Sequence, residues 1–277
     1  MNIKLVIAFA FVMTTSMAQA VVWTANRQWT EQDEIGFSQW VDTKLDTAIF
    51  TSAASKYYGM KTDCADFVYT ARAIYAFENK LPFAVNDPTS SSNTINNNKT
   101  TWDNDSSEIG RFFSFNSYLH KMLSTSTIHK DTYPVALNRN YVNPGSVFLF
   151  YKYHSMLLKR LETNGLPIFF ESTVPREVRN LYVRYRIPAA QFDKMNNPGG
   201  LRRFNSLQLM KKSEWQFPGY SLEQYDLRLS FDTAGTWARE VHSRLAVGNQ
   251  TETSQAEMAR HFKTVCDMTK ERVLIVQ

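Results

Sequence analysis

In "TDCADFVYTARAIYAF" (residues 62–77), Cys64 stands at the mouth of a stretch whose apolar positions Cys64, Phe67, Val68, Ala71 and Tyr75 follow the spacing of one helix face. Thr62 or Asp63 is placed to cap its first turn. A thiol there feels the positive end of the helix dipole and the unpaired backbone N–H groups, and both stabilise the thiolate. The same N–H groups suit the oxyanion of a tetrahedral intermediate. The chemistry this position fits is acyl transfer through a nucleophilic cysteine. A base is then required, and His154 opens the apolar segment "HSMLLKRL" directly after another apolar run. Imidazole takes the thiol proton and later returns it to the leaving group, provided a third group holds its tautomer.

Candidates for that third group lie across a hairpin signalled by Asn164-Gly165. A two-residue turn places Leu158 opposite Glu171 and Met156 opposite Thr173, and parity puts both candidates on the face of His154. Strict register brings Thr173 nearer, whereas chemistry prefers the Glu171 carboxylate; a slipped or longer turn would reconcile the two. Cys266, the second cysteine, lies at the edge of the stripe Met258, Phe262 and Val265 with no sign of delivery to Cys64. Cys64 is therefore expected free.

The elements that must position these residues read as follows. A helix is predicted over 31–55, then the cysteine helix from about Asp63 to Glu78. The polar, turn-rich stretch Asn86 to Ser107 reads as a disordered surface insertion. Strands are predicted at Val147 to Phe150, His154 to Leu161, Ile168 to Ser172 and Leu181 to Ile187. Two helices follow, marked by Trp237, Val241 and Leu245 and by Met258, Phe262 and Val265. Helices, then adjacent strands, then helices make an α+β arrangement.

Residues 1–20 read as a cleaved signal peptide: Lys4, the apolar run Leu5 to Met13, and Ala18-Gln19-Ala20 as cleavage site. The expected location is periplasmic or secreted, with no membrane span, since the apolar run falls short of the roughly 20 residues a span needs. Removing Lys4 takes the formal charge from +5 to +4, a mild basicity suited to an anionic wall. There is no dense Lys/Arg run, so nucleic-acid binding is not expected. His120, His129, His242 and His261 show no metal-ligand spacing, and neither metal nor cofactor is expected.

"YYGMKTDCADFVYTA" followed by "NPGSVFLFYKYHSMLL" resembles the NlpC/P60 cysteine peptidases of the papain-like superfamily. The resemblance covers about residues 55–175. It implies Cys64 as nucleophile, His154 as base, and Tyr58 as the tyrosine lining the site, with Asp63 beside the nucleophile in the substrate-binding set. Departures are Ala65-Asp66 for the usual Ser-Gly, Ser146 for the acid after Pro-Gly, and Glu171 as third residue. The implied fold is a papain-like core over residues 21–190, the cysteine helix packed on a small antiparallel sheet, with a mostly helical C-terminal extension over 191–277. The implied activity is hydrolysis of amide bonds in peptidoglycan stem peptides. "DCADF" also resembles the motif of transglutaminase-like enzymes, which suit a carboxylate third residue. A non-catalytic wall-binding protein on the same scaffold is the rival of a different class.

Overall fold

The computed structural model describes residues 20–185, 195–205, 213–226, 236–248, 250 and 252–276. The expected signal segment thus lies, but for Ala20, outside the described residues. Short polar side chains start the helices. Thr30 with Asp33 forms a capping box for α1 (Glu31–Thr43), Asp63 with Asp66 forms one for α2 (Cys64–Glu78), and Ser107 caps α3 (Glu108–Met122). Between α2 and α3 lies the hairpin β1 (Ala84–Asn86) and β2 (Thr94–Asn96). A short α4 (Ile128–Asp131) then leads into β3 (Thr132–Pro134). The remaining strands are β4 (Val147–Phe150), β5 (His154–Leu161), β6 (Pro167–Glu171), β7 (Tyr182–Arg184) and β8 (Gly200–Phe204). Helices α5 (Glu223–Asp226), α6 (Thr236–Leu245) and α7 (Ser254–Val276) complete the described chain.

The fold is α+β. Strands β3 to β8 form one antiparallel sheet in the order β3-β8-β4-β5-β6-β7. Its side chains alternate between two cores, as the pleat requires. Val147, Leu149, Leu157 and Phe170 join the core built on α1, α2 and α3, while Phe148, Met156, Leu158 and Phe169 face a second core with Val241 and Leu245 of α6. The sheet is therefore the middle of three layers.

Several expectations are corrected by these contacts. The helix expected over 31–55 stops at Thr43, and turns carry the chain on to Gly59. The 86–107 stretch is ordered: Ile95 is buried, and Asn97 accepts from Phe83 N–H and donates to the Trp23 carbonyl. Buried asparagine satisfying two backbone groups is what periodicity cannot reveal. Helix α2 buries every residue except Glu78 rather than one face. The boundary expected at 190/191 lies outside the described residues, but β8 from the supposed extension sits inside the sheet, between β3 and β4. The strand expected over Leu181 to Ile187 is seen as Tyr182–Arg184. Helix α7 forms over Met258, Phe262 and Val265, yet these three side chains point outward.

The β5–β6 hairpin departs from the two-residue turn in two places. Glu162 N–H donates to the Leu166 carbonyl, so three residues, Thr163 to Gly165, form the loop. A bulge between Leu158 and Arg160 then shifts the register once more, giving Leu158 opposite Phe169 and Leu157 opposite Phe170. One shift would turn every side chain of β6 to the other face; two restore the face and slide the strand by a full repeat. Gly165 makes the loop possible, with φ +81° and no room for a side chain, since a Cβ would lie 1.9 Å from the His242 carbonyl oxygen of α6. Gly165→Ala is expected to cost about 2 kcal/mol in urea unfolding. A stability equal to wild type would mean that the loop and α6 are not packed this way.

Candidate active site

The capping box decides what the mouth of α2 offers. Asp63 Oδ1 accepts from the N–H groups of Ala65 and Asp66 at 3.1 Å each, and Asp66 Oδ2 accepts from Asp63 N–H at 3.0 Å. Phe67 N–H reaches the Asp63 carbonyl. Cys64 N–H is then the first-turn donor left without a partner among the described residues, and it belongs to the residue that carries the thiol. The oxyanion site expected of the whole first turn narrows to this group. Asp63, placed by the resemblance in the substrate-binding set, has its carboxylate committed to the cap.

Ser155 fixes the sheet to the helix: its hydroxyl, fully buried, donates to the Cys64 carbonyl at 3.0 Å. The preceding residue, His154, is the first of β5, and the Cys64 side chain is near enough to favour its cation. Its Nε2 lies 3.0 Å from Glu171 Oε2. The two register shifts account for Glu171: they bring it from opposite Leu158 toward Met156, which makes Glu171 the diagonal neighbour of His154 on the same face. Glu171 is buried, and its second oxygen accepts from Arg184 Nε at 2.7 Å. The structure thus pairs His154 with Glu171 and brings the start of β5 to the Cys64 carbonyl.

Burial of His154 disfavours its cation, but its neighbours Cys64 and Glu171 favour it, outweigh burial and push the imidazole up to about 9. Burial likewise opposes ionisation of Glu171; the hydrogen bond and charge of His154 and the Arg184 guanidinium outweigh it, and the carboxyl ionises below its ordinary range. At neutral pH the pair is imidazolium and carboxylate.

Tyr58 is 57% exposed, and no hydrogen bond or ring contact among the described residues joins it to Cys64 or His154. Thr173 lies two residues past the end of β6 and forms no hydrogen bond with His154 among the described residues. Both cysteines are free. Among the described residues no group of His, Cys, Asp and Glu could hold a metal ion, and no helix is long and apolar enough to cross a membrane. Sequence reasoning missed Arg184, Ser155 and the Asp66 half of the capping box. The D-x-x-D spacing of Asp63 and Asp66 was a usable signal for the box; the arginine alternation of "VRNLYVRYR" was a weak one for Arg184. Nothing local marks Ser155. Comparison of the chain with protein-family models, curated proteins and solved structures finds no match.

The carboxylate raises the imidazole, so its loss must lower the pH at which His154 gives up its proton. In Glu171→Gln, the His154 ring resonances followed by NMR are expected to titrate well below the wild-type value of about 9. Thr173→Ala should leave them in place. The reverse pattern would assign the third position to Thr173.

Proposed function

We propose that this protein is an exported cysteine hydrolase with a papain-like core, acting on amide bonds in peptidoglycan stem peptides. The observation that carries the reading is an imidazole paired with a buried carboxylate on the strand that docks against the Cys64 carbonyl at the helix mouth. The resemblance to the NlpC/P60 peptidases adds the substrate class and the chain order of cysteine helix, Pro-Gly turn, strand and histidine. The cysteine helix packed on β5 of an antiparallel sheet supports the papain-like core.

In this reading the Cys64 thiolate attacks the amide carbonyl carbon. A C–S bond forms and the carbonyl electron pair moves to oxygen, facing Cys64 N–H. Collapse breaks the C–N bond, and the amine departs with the proton of His154. Neutral His154 then takes a proton from water, whose oxygen attacks the thioester. The C–S bond breaks and the acid product leaves. Glu171 keeps the ring oriented and supports its positive charge throughout. A second reading is favoured by the carboxylate at the third position: a transglutaminase-like transferase, in which an amine takes the place of water.

Purified protein incubated with peptidoglycan, with mass analysis of the fragments, separates the two. Hydrolysis adds one water per cleaved bond, and transfer gives a new amide. Cys64→Ala and His154→Ala are each expected to abolish turnover with unchanged circular dichroism, the double variant scarcely worse than either. Near wild-type turnover in either single variant would overturn the site. Intact peptidoglycan alongside turnover of simple peptides would overturn the substrate class.

A further inference from the structure

The capping box that starts α2 sets an electrostatic problem. Two carboxyl groups, Asp63 and Asp66, sit one residue before and two residues after the thiol. Negative charge in the turn that carries the thiol disfavours a thiolate. Asp66 is buried, and burial pushes its carboxyl up to about 6, so at neutral pH it is largely ionised beside the nucleophile. A nucleophile flanked in this way needs a counter-charge.

Arg176, in the segment after β6, supplies one. Its Nε donates to Asp66 Oδ2, a terminal nitrogen donates to Asp66 Oδ1 at 3.1 Å and to the His120 carbonyl at 2.6 Å, and Asp63 Oδ2 lies 3.7 Å away. The other groups around Asp66 do not share the task. His120 of α3, with Nδ1 3.9 Å from Asp66, has burial to hold it neutral, down to about 3, and its Nε2 pairs with Thr70 at 2.8 Å. His154 of β5 is paired with Glu171 of β6, and the Arg184 cation is paired with Glu171.

We propose that Arg176 is a positioning residue for the Cys64 nucleophile: its guanidinium neutralises the Asp63–Asp66 capping box so that a helix started by two acids can still present a thiolate. The inference rests on reading Cys64 as the nucleophile. It goes beyond that reading in assigning a fourth charged group to the site, outside the Cys-His-Glu row. The segment carrying Arg176 is also tied to the helix mouth by backbone, through Thr62 and Glu177, and by Ser172 with Thr62. Loss of the guanidinium therefore leaves those anchors in place.

Iodoacetamide alkylation of the native protein reads this without any substrate. At pH 7, Arg176→Gln is expected to slow Cys64 alkylation about tenfold, the effect of one unit of proton affinity. Arg176→Lys should stay near wild type. In Arg176→Gln/Asp66→Asn the offending charge is gone while an acceptor for Asp63 N–H remains, and alkylation should return to near the wild-type rate. A purely structural role for Arg176 predicts no such recovery, so a double variant as slow as Arg176→Gln overturns the inference. So does an Arg176→Gln rate equal to wild type. A wild-type thiol no faster than that of His154→Ala would overturn the nucleophile assignment, and this inference with it.

Discussion

Helix α2 is buried on all sides, and that constraint organises the rest of the molecule. Its apolar residues are satisfied by contact, but Asp66, Tyr69, Thr70 and Arg72 are buried too, and each must find a partner or cost several kcal/mol. The partners come from different segments. Arg176 meets Asp66, Asp131 at the end of α4 accepts from Tyr69 at 2.6 Å, and His120 of α3 meets Thr70. Glu34 of α1 takes both terminal nitrogens of Arg72, whose guanidinium also stacks 3.7 Å over Trp29. Four polar contacts thus attach four separate segments to one helix. Asp131 extends the set by accepting from Asn86 of β1.

A helix held this way is a poor candidate for movement, so the geometry at its mouth is set before any ligand arrives. Pre-organisation of that kind is what acyl transfer requires, because small displacements of a nucleophile are costly in rate. The sheet is brought to the helix rather than the reverse. Ser155 docks the start of β5 on the Cys64 carbonyl, which brings the neighbouring His154, paired with Glu171, to the helix mouth.

Stability and reactivity pull in opposite directions at Asp63 and Asp66. Acidic caps favour the helix through its dipole and its unpaired amides, while the same charges oppose an anion on the adjacent sulfur. Arg176, from the segment after β6, meets both acids, and the role proposed for its guanidinium is to offset that charge. Glu171 stands in a similar balance, buried between His154 and Arg184, with neither of its oxygens left unpaired.

The sequence by itself determined which side chains could do chemistry and the local elements that carry them. The cysteine helix, the strand that His154 begins, the helix at Val241 and Leu245, and the α+β order follow from period, caps and turn residues, all of them short-range. Parity alone put Glu171 on the face of His154. Only the tertiary structure decided between Glu171 and Thr173, because the register depends on a bulge and on Gly165 fitting under α6. It also decided that β8 enters the middle of the sheet, and that Asn86 to Ser107 is ordered around a buried asparagine. Long-range pairing has no periodic signature in the chain. Arg176 was illegible for the same reason, and Arg184 was legible only as one arginine of an alternating stretch: a charge acts through space, and the sequence carries no trace of Asp66 and Glu171 as the carboxylates they meet.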